Sequence, residues 1–564
     1  MRSYFSVVQS SFNLINGFEK KYLWTFVILT VTINLLSLSR LFILQFLFNR
    51  IQMKAGVVTE YLVLISVYVL SEVIEKICDA WFAYYGTKIR LNFKVYVDKL
   101  ILNHGETLSL SSFEKSETFD IIQRTQNLNS DDILDFCQEH IKMISTIINI
   151  VSYLYVIIRV SYGLLPLVLI IPIIQFVVNN IINEKQYSIL RKRTDKTRES
   201  WYYKFLLLSG TYFKEIKLFN YYKKLKEKHI NLEHYFKRQD LKIAKESATK
   251  NGLLSILNSI ILGAVFVFTI LKGFEGDVLL GDVIIFIRSV NSLQLQITTI
   301  LSTGTEILKK RLYFEQFLEF FKIEVFSWQS EFNEHISSIE EIEVKNLSFK
   351  YPKTERNIIK NVSLKLKSGN LYALVGPNGS GKTTFIKLLL GLYKDYEGKI
   401  IINGSDLLKV DKSSFLECSS VLFQDFLKVE GTLEENIKLN SQNETSLNTY
   451  LSEFNLNEFS YGNEQFQLGY WFDSGQQLSA GEWQRVALAR VFYRDATFRI
   501  LDEPNSNLDA LSNERMLDSL RNRIPDTINI IILHNTELFK KYIDYYLKFS
   551  KDGSIEVIKN EEKL

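Results

Sequence analysis

Apolar residues crowd the first 300 positions into six runs, at about 22–48, 61–85, 141–160, 163–182, 253–272 and 278–300. Each nears or exceeds the roughly 20 residues that carry a helix across a hydrocarbon core. Stretches 164–182 and 253–271 hold no charged side chain. Six runs of this kind argue against a set of buried soluble helices and for six membrane spans. The joints alternate between tiny (161–163, 273–277) and long, and the longer of the two long joints, between the fourth and fifth runs, holds about eighteen Lys and Arg. Basic excess keeps such segments in the cytoplasm, so both chain ends are expected there as well.

Within the long joints, 89–102 and 221–250 are rich in Leu, Lys, Glu and Ile and contain no proline. They predict helices that continue out of the membrane, a leg of about 25 to 30 residues at 1.5 Å per residue projecting roughly 40 Å. Each joint breaks in its middle, near 109–114 and near 209–214, where short helices are expected to plug into a separate cytoplasmic domain or to form plain turns. Arg40, Gln45, Glu72, Glu75 and Arg288 fall inside apolar runs; they either line a pathway or snorkel to an interface. Past 321 the chain turns polar and acidic, which marks 326–340 as a linker between a transmembrane domain, 1–325, and a second domain, 341–564. There 342–344 and 347–349 alternate as strands do.

Composition narrows the class. Hydrophobic residues are 47% and aromatics 13% of 564 residues, with six prolines, which excludes disorder and favours long helices. A net charge of +4 is too small to imply nucleic acid. Cys78, Cys137 and Cys418 lie far apart, so neither a disulfide frame nor a zinc site is indicated. The first 21 residues lack the apolar core and cleavage site of a signal peptide, and no removal is expected.

The candidate chemistry centres on Gly376-Pro377-Asn378-Gly379-Ser380-Gly381-Lys382-Thr383-Thr384, set between a strand-like run at 371–375 and a helix-like run at 385–390. Strand, glycine-rich loop and helix in that order form the context of a phosphate loop. Gly376, Gly379 and Gly381 let backbone N–H groups converge on phosphates where a Cβ would block them. Asn378, Ser380 and Thr384 complete the cradle, Lys382 brings charge to the β- and γ-phosphates, and the Thr383 hydroxyl is placed to ligate Mg²⁺. No second loop of this kind follows.

Tyr351, 25 residues upstream, is placed to stack on adenine. Gln424, after an apolar run, is expected to reach Mg²⁺ and the attacking water. The run 498–503 reads as a strand ending in two carboxylates: Asp502 would hold Mg²⁺ and Glu503 would polarise the water. His534, at the end of run 530–533, would contact the γ-phosphate. Each residue has an ordinary structural reading when taken alone; their common order and spacing favour the joint reading.

Leu478-Ser479-Ala480-Gly481-Glu482 then names a family by resemblance. The stretch is similar to the Leu-Ser-Gly-Gly-Gln signature of ATP-binding cassettes, and the likeness covers about 340–550. Six spans ahead of one cassette resemble the exporter type. The resemblance implies an α-helical six-span transmembrane domain with long cytoplasmic helices, followed by an α/β P-loop cassette, using ATP and Mg²⁺. It also implies a second transporter chain, a homodimer being expected, with Ser479, Gly481 and Asp509 of one chain capping ATP on the loop of the other. Ala480 and Glu482 depart from the signature and are expected to slow closure or hydrolysis without silencing it.

A finer resemblance, to lanthipeptide exporters lacking a peptidase domain, rests on 198–202, 213–218, 421–426 and 468–472. It implies a multi-pass plasma-membrane carrier, among membrane lipid, whose cassette is cytoplasmic. Its cargo would be a peptide precursor delivered by its modification enzymes and trimmed by a separate protease, since no cysteine precedes the first span. A lipid or multidrug exporter of the same architecture is the alternative.

Overall fold

The structure is a computed structural model and describes residues 4–561 apart from 127, 326–333, 353, 442, 444, 462, 534–536 and 538. The chain divides into two compact units, Met1–Leu102 with Gln123–Phe321, and Asn103–Ile122 with Lys322–Leu564.

The first eleven helices are α1 (Tyr4–Phe18), α2 (Tyr22–Gln52), α3 (Val58–Glu106), α4 (Leu110–Glu114), α5 (Ser116–Gln126), α6 (Ser130–Ser161), α7 (Leu165–Lys192), α8 (Thr194–Leu208), α9 (Gly210–Leu218), α10 (Tyr222–Glu275) and α11 (Leu280–Phe320). Four stretches are long and apolar enough to cross a membrane: Tyr22–Gln52, Ser130–Lys192, which holds both α6 and α7, Tyr222–Glu275 and Leu280–Phe320. The second expected run lies in α3, where Glu72, Glu75 and Lys76 interrupt the apolar sequence and keep it outside that set. The expected legs are continuations of α3 and α10 without a break. The polar-mixed first residues form a helix that the sequence pattern did not announce: α1 buries Val7, Ser11 and Ile15 along one face.

Several carboxamides inside this unit pair side chain to side chain, because helix backbones are already largely satisfied internally. Asn149 donates to Asn34 (3.1 Å), Asn251 donates to Asn179 (2.9 Å), and Asn258 and Gln294 exchange hydrogen bonds at 2.9 and 3.0 Å. Pro172 inside α7 has no N–H to offer the carbonyl of Val168, and Gln294 of α11 donates to that carbonyl instead (3.1 Å). Of the suspected pathway residues, Arg40 pairs with Glu75, Gln45 donates to Asp282, and Glu72 and Arg288 are exposed.

The second unit carries two sheets. The smaller is antiparallel, in the order β2 (Ile359–Lys367), β1 (Glu341–Phe349), β4 (Glu397–Ile402), β5 (Ser405–Asp406). The alternating run at 342–349 is β1, paired on both sides and bulged between Val344 and Leu347. The larger sheet runs β10 (Ile555–Lys559), β9 (Tyr545–Phe549), β3 (Asn370–Val375), β8 (Ile528–Ile532), β7 (Phe498–Asp502), β6 (Ser419–Leu422). It is parallel from β9 to β6. Every residue of β7 and β8 is buried, as a sheet covered on both faces requires. Its helices are α12 (Lys382–Leu389), α13 (Lys412–Glu417), α14 (Leu433–Lys438), α15 (Leu447–Glu453), α16 (Asn457–Ser460), α17 (Ala480–Tyr493) and α18 (Ala510–Arg521).

Both expected breaks are short helices. The first, α4, belongs to the second unit: Tyr393 donates to its Glu114 (2.7 Å), Lys387 lies 3.6 Å from the same carboxylate, and Leu110 packs on the cassette core. The second, α9, lies in the first unit with Ile216 packed against Leu207 and Leu225, while Tyr212, Phe213 and Leu218 stay exposed.

Candidate functional site

Parallel strands deliver their C-terminal ends to one edge of the sheet, and ligand sites of open α/β sheets gather there. β3 ends at Val375 and releases the glycine loop; β7 ends at Asp502 beside it. Gly376 (φ +148°) runs so close to β9 that a Cβ would stand 2.5 Å from the Phe549 carbonyl oxygen. Gly381 (φ +99°) caps α12 without any side-chain hydrogen bond. The first-turn N–H groups of α12 therefore stay open to an anion.

A cleft of about 450 Å³ opens at this edge, lined by Tyr351, Asn378, Gly379, Gly381, Lys382, Thr383, Thr384, Gln424, Asp502 and Glu503 among others. Lys382 Nζ turns back onto the carbonyls of its own loop, at Gly376 (2.9 Å) and Pro377 (3.1 Å). The Thr383 hydroxyl donates to Asp502 Oδ2 (3.3 Å) and Gln424 Nε2 donates to Glu503 Oε2 (3.3 Å). Burial pushes the Asp502 carboxyl up from 3.8 to about 6, the Thr383 hydrogen bond pulling the other way and Glu503 adding to the rise. Glu503 sits at φ +50°, a left-handed backbone that a glutamate adopts only where its surroundings hold it; its N–H donates to Ile532 (3.1 Å). The Tyr351 hydroxyl meets Thr384 Oγ1 at 3.0 Å, and its ring packs edge-on against Phe349 and Tyr393. The Ser380 hydroxyl is buried with no partner among the described residues.

Three expected residues stand apart from this cleft. Ser479 caps α17 in a reciprocal box: its Oγ accepts from Glu482 N (3.3 Å), and Glu482 Oε2 accepts from Ser479 N (2.7 Å). Gly481 approaches the following turn so closely that a Cβ would lie 2.7 Å from the Asn507 carbonyl oxygen. Asp509 caps α18 through Ser512 N (2.7 Å), which holds its carboxyl below the usual range. His534 lies outside the described residues.

Gln484 escaped the reading of the sequence. It is 2% exposed, donates to the carbonyls of Glu503 (3.2 Å) and Pro504 (2.5 Å), and accepts from Asn507 N (3.1 Å). One side chain thus ties the signature helix to the backbone on both sides of the turn after Glu503. An amide that offers donors and an acceptor at once in a buried turn is the available signal, and it needs the fold to be seen.

Hard cations take oxygen ligands, and Thr383, Asp502 and Gln424 offer a hydroxyl, a carboxylate and an amide oxygen around one wall of the cleft. Among the described residues no three His, Cys, Asp or Glu gather to hold a metal alone. The donor set fits Mg²⁺, which keeps waters and substrate phosphates in its shell and uses only one or two protein carboxylates, here Asp502.

The ABC transporter family profile matches residues 359–506. The chain is 32% identical to the subtilin transport ATP-binding protein of Bacillus subtilis, over 98% of this chain and 91% of that one. It is 30% identical to the nisin transport ATP-binding protein of Lactococcus lactis subsp. lactis, over 98% and 93%. The microcin-J25 export ATP-binding/permease protein of Escherichia coli is 25% identical over 85% and 83%. Among solved structures, a bacterial Atm1-family ABC exporter with ATP bound superposes with a TM-score of 0.72 at 18% identity, covering 95% of both chains; that likeness shows the fold. Because the relatedness runs from end to end and not through the cassette alone, this chain belongs to the ABC transporters, as a membrane exporter driven by its own ATPase.

Proposed function

We propose that the chain exports a lanthipeptide-type peptide precursor across the plasma membrane as one half of a dimer, with six spans and its cassette in the cytoplasm. In this reading residues 1–325 form the transmembrane domain, 326–340 the linker and 341–564 the engine. The observation that carries the cargo is the 98% span of likeness to the subtilin and nisin transport proteins, helices included.

ATP enters the cleft with its phosphates over the bare end of α12, and Lys382 leaves its loop carbonyls for the β- and γ-phosphates. The Tyr351 ring faces adenine. Thr383, Asp502 and Gln424 hold Mg²⁺, whose charge offsets that of the triphosphate. Glu503, oriented by Gln424, takes the proton of the attacking water, and His534 positions that water against the γ-phosphate. Ser479, Gly481 and Asp509 do not line the cleft of their own chain, which supports their acting on the nucleotide of a second copy. Closure of two cassettes around ATP then draws on its higher affinity for the closed state, and hydrolysis resets the cycle. The exposed aromatic face of α9 is the surface offered to the second chain's cassette.

The test is the ATPase rate of the purified transporter in nanodiscs. A leader-bearing lanthipeptide precursor is expected to raise it severalfold, and hydrophobic drugs or lipids to leave it unchanged. Stimulation by drugs with no response to precursor would replace this cargo with the lipid or multidrug reading.

A further inference from the structure

Beyond Pro172, α7 and α11 part to leave a groove of about 140 Å³ with no charged residue in its lining. Gln175, Asn179 and Asn183 stand four residues apart on α7, and Thr298, Ser302 and Thr305 form the facing row on α11. Elsewhere in this unit Asn34 with Asn149, and Asn258 with Gln294, are consumed in pairs. Here Gln175 and Asn183 make no side-chain hydrogen bond to another described residue, and Asn179 uses only its oxygen, toward Asn251. The Asn251 oxygen beyond it is buried without a partner. Each hydroxyl of the facing row donates to a carbonyl of its own helix, at 2.9, 2.9 and 2.7 Å, so what it turns outward is acceptor capacity. Gln175 and Asn179 lie within the apolar run, where unsatisfied amides are expensive and mark a pathway, and Asn183 stands exposed just past its end.

We propose that this groove is a binding track for the main chain of an extended, uncharged peptide segment, a reading that rests on the peptide cargo proposed above. One wall offers donors and acceptors together, the other acceptors for peptide N–H groups. The spacing matches as well. Four residues of α-helix rise about 6 Å, and two residues of extended chain advance about 6.6 Å, so successive carboxamides of α7 meet every second peptide unit. Without charge in its lining, the track holds the backbone and leaves side-chain sequence unread.

Full-length transporter in nanodiscs, free of nucleotide, is titrated with a capped fluorescent octapeptide of alternating Ala and Ser, and with its fully N-methylated counterpart, which lacks the backbone donors. The parent peptide is expected to bind about tenfold more tightly than the methylated one. The gap is expected to close in Gln175→Leu/Asn179→Leu/Asn183→Leu. If that variant fails to insert, Thr298→Val/Ser302→Ala is expected to narrow the gap about threefold, since it leaves α7 intact. Equal binding of the two peptides, or a gap unchanged in the variants, overturns the track while peptide export stands. Binding of the neutral glycan maltoheptaose with no binding of the octapeptide overturns the track and the peptide cargo together.

Discussion

Two helix starts in the cassette do opposite things. At α12 the N-cap is Gly381, in a left-handed conformation and without a side-chain hydrogen bond, so the end is bare and faces a cleft. At α17 the N-cap Ser479 and Glu482 close a capping box, and a carboxylate sits where an anion would dock. A bare end binds phosphate by itself, because its N–H groups have no other partner. A closed end repels a new anion until its own is displaced or compensated. In the dimer proposed above, this difference would divide the labour: the loop half of the site would capture nucleotide, and the signature half would add grip only when a second chain presses a triphosphate against it.

The strongest challenge to this contrast is Lys382→Ala. If capture resides in the loop, nucleotide-dependent turnover falls by about 100-fold or more, as loss of a charge on transferring phosphoryl groups entails; near-normal turnover would mean that the bare helix end suffices. Next is Glu503→Gln, which leaves the loop whole. Its kcat is expected to drop about 100-fold while equilibrium ATP binding stays within about threefold, since only the proton acceptor is lost.

Gln484→Ala probes the link between the two regions. Turnover about tenfold down, with nucleotide binding by the full-length transporter unaltered, is the expected signature of a residue that positions the backbone around Glu503. The mildest change is Glu482→Gln, which keeps an oxygen for Ser479 N but removes the charge. It is expected to lower the ATP concentration for half-maximal turnover about fivefold, equivalent to roughly 1 kcal/mol at a helix end. An unchanged or raised value would show that the carboxylate does not oppose the arriving phosphate.

What could be read from the chain beforehand follows how local each feature is. The phosphate loop lies on nine consecutive residues whose chemistry is set by their neighbours, so Lys382 and Thr383 were legible together, while Asp502 was legible from its place at the end of a short apolar run, and all three line one cleft. Hydropathy located the long helices, but α3 carries Glu75 against Arg40 of α2, and a pairing across helices leaves no trace in a window of one helix. α1 was missed because its apolar positions are spaced along one face and diluted by serine and asparagine. The same holds for Gln484 and for the amide pairs of the helical unit, whose partners lie far away in sequence.

α10 runs from Tyr222 to Glu275 without a proline or a break, 54 residues in one rod. At 1.5 Å per residue it is about 80 Å long, more than twice the thickness of a bilayer core. A rod of that length converts angle into distance: a tilt of about 5° about one end carries the other end roughly 7 Å, more than one full helical turn. Small rotations at one end are thereby enough to shift whole side-chain layers at the other, with no joint in between to absorb them.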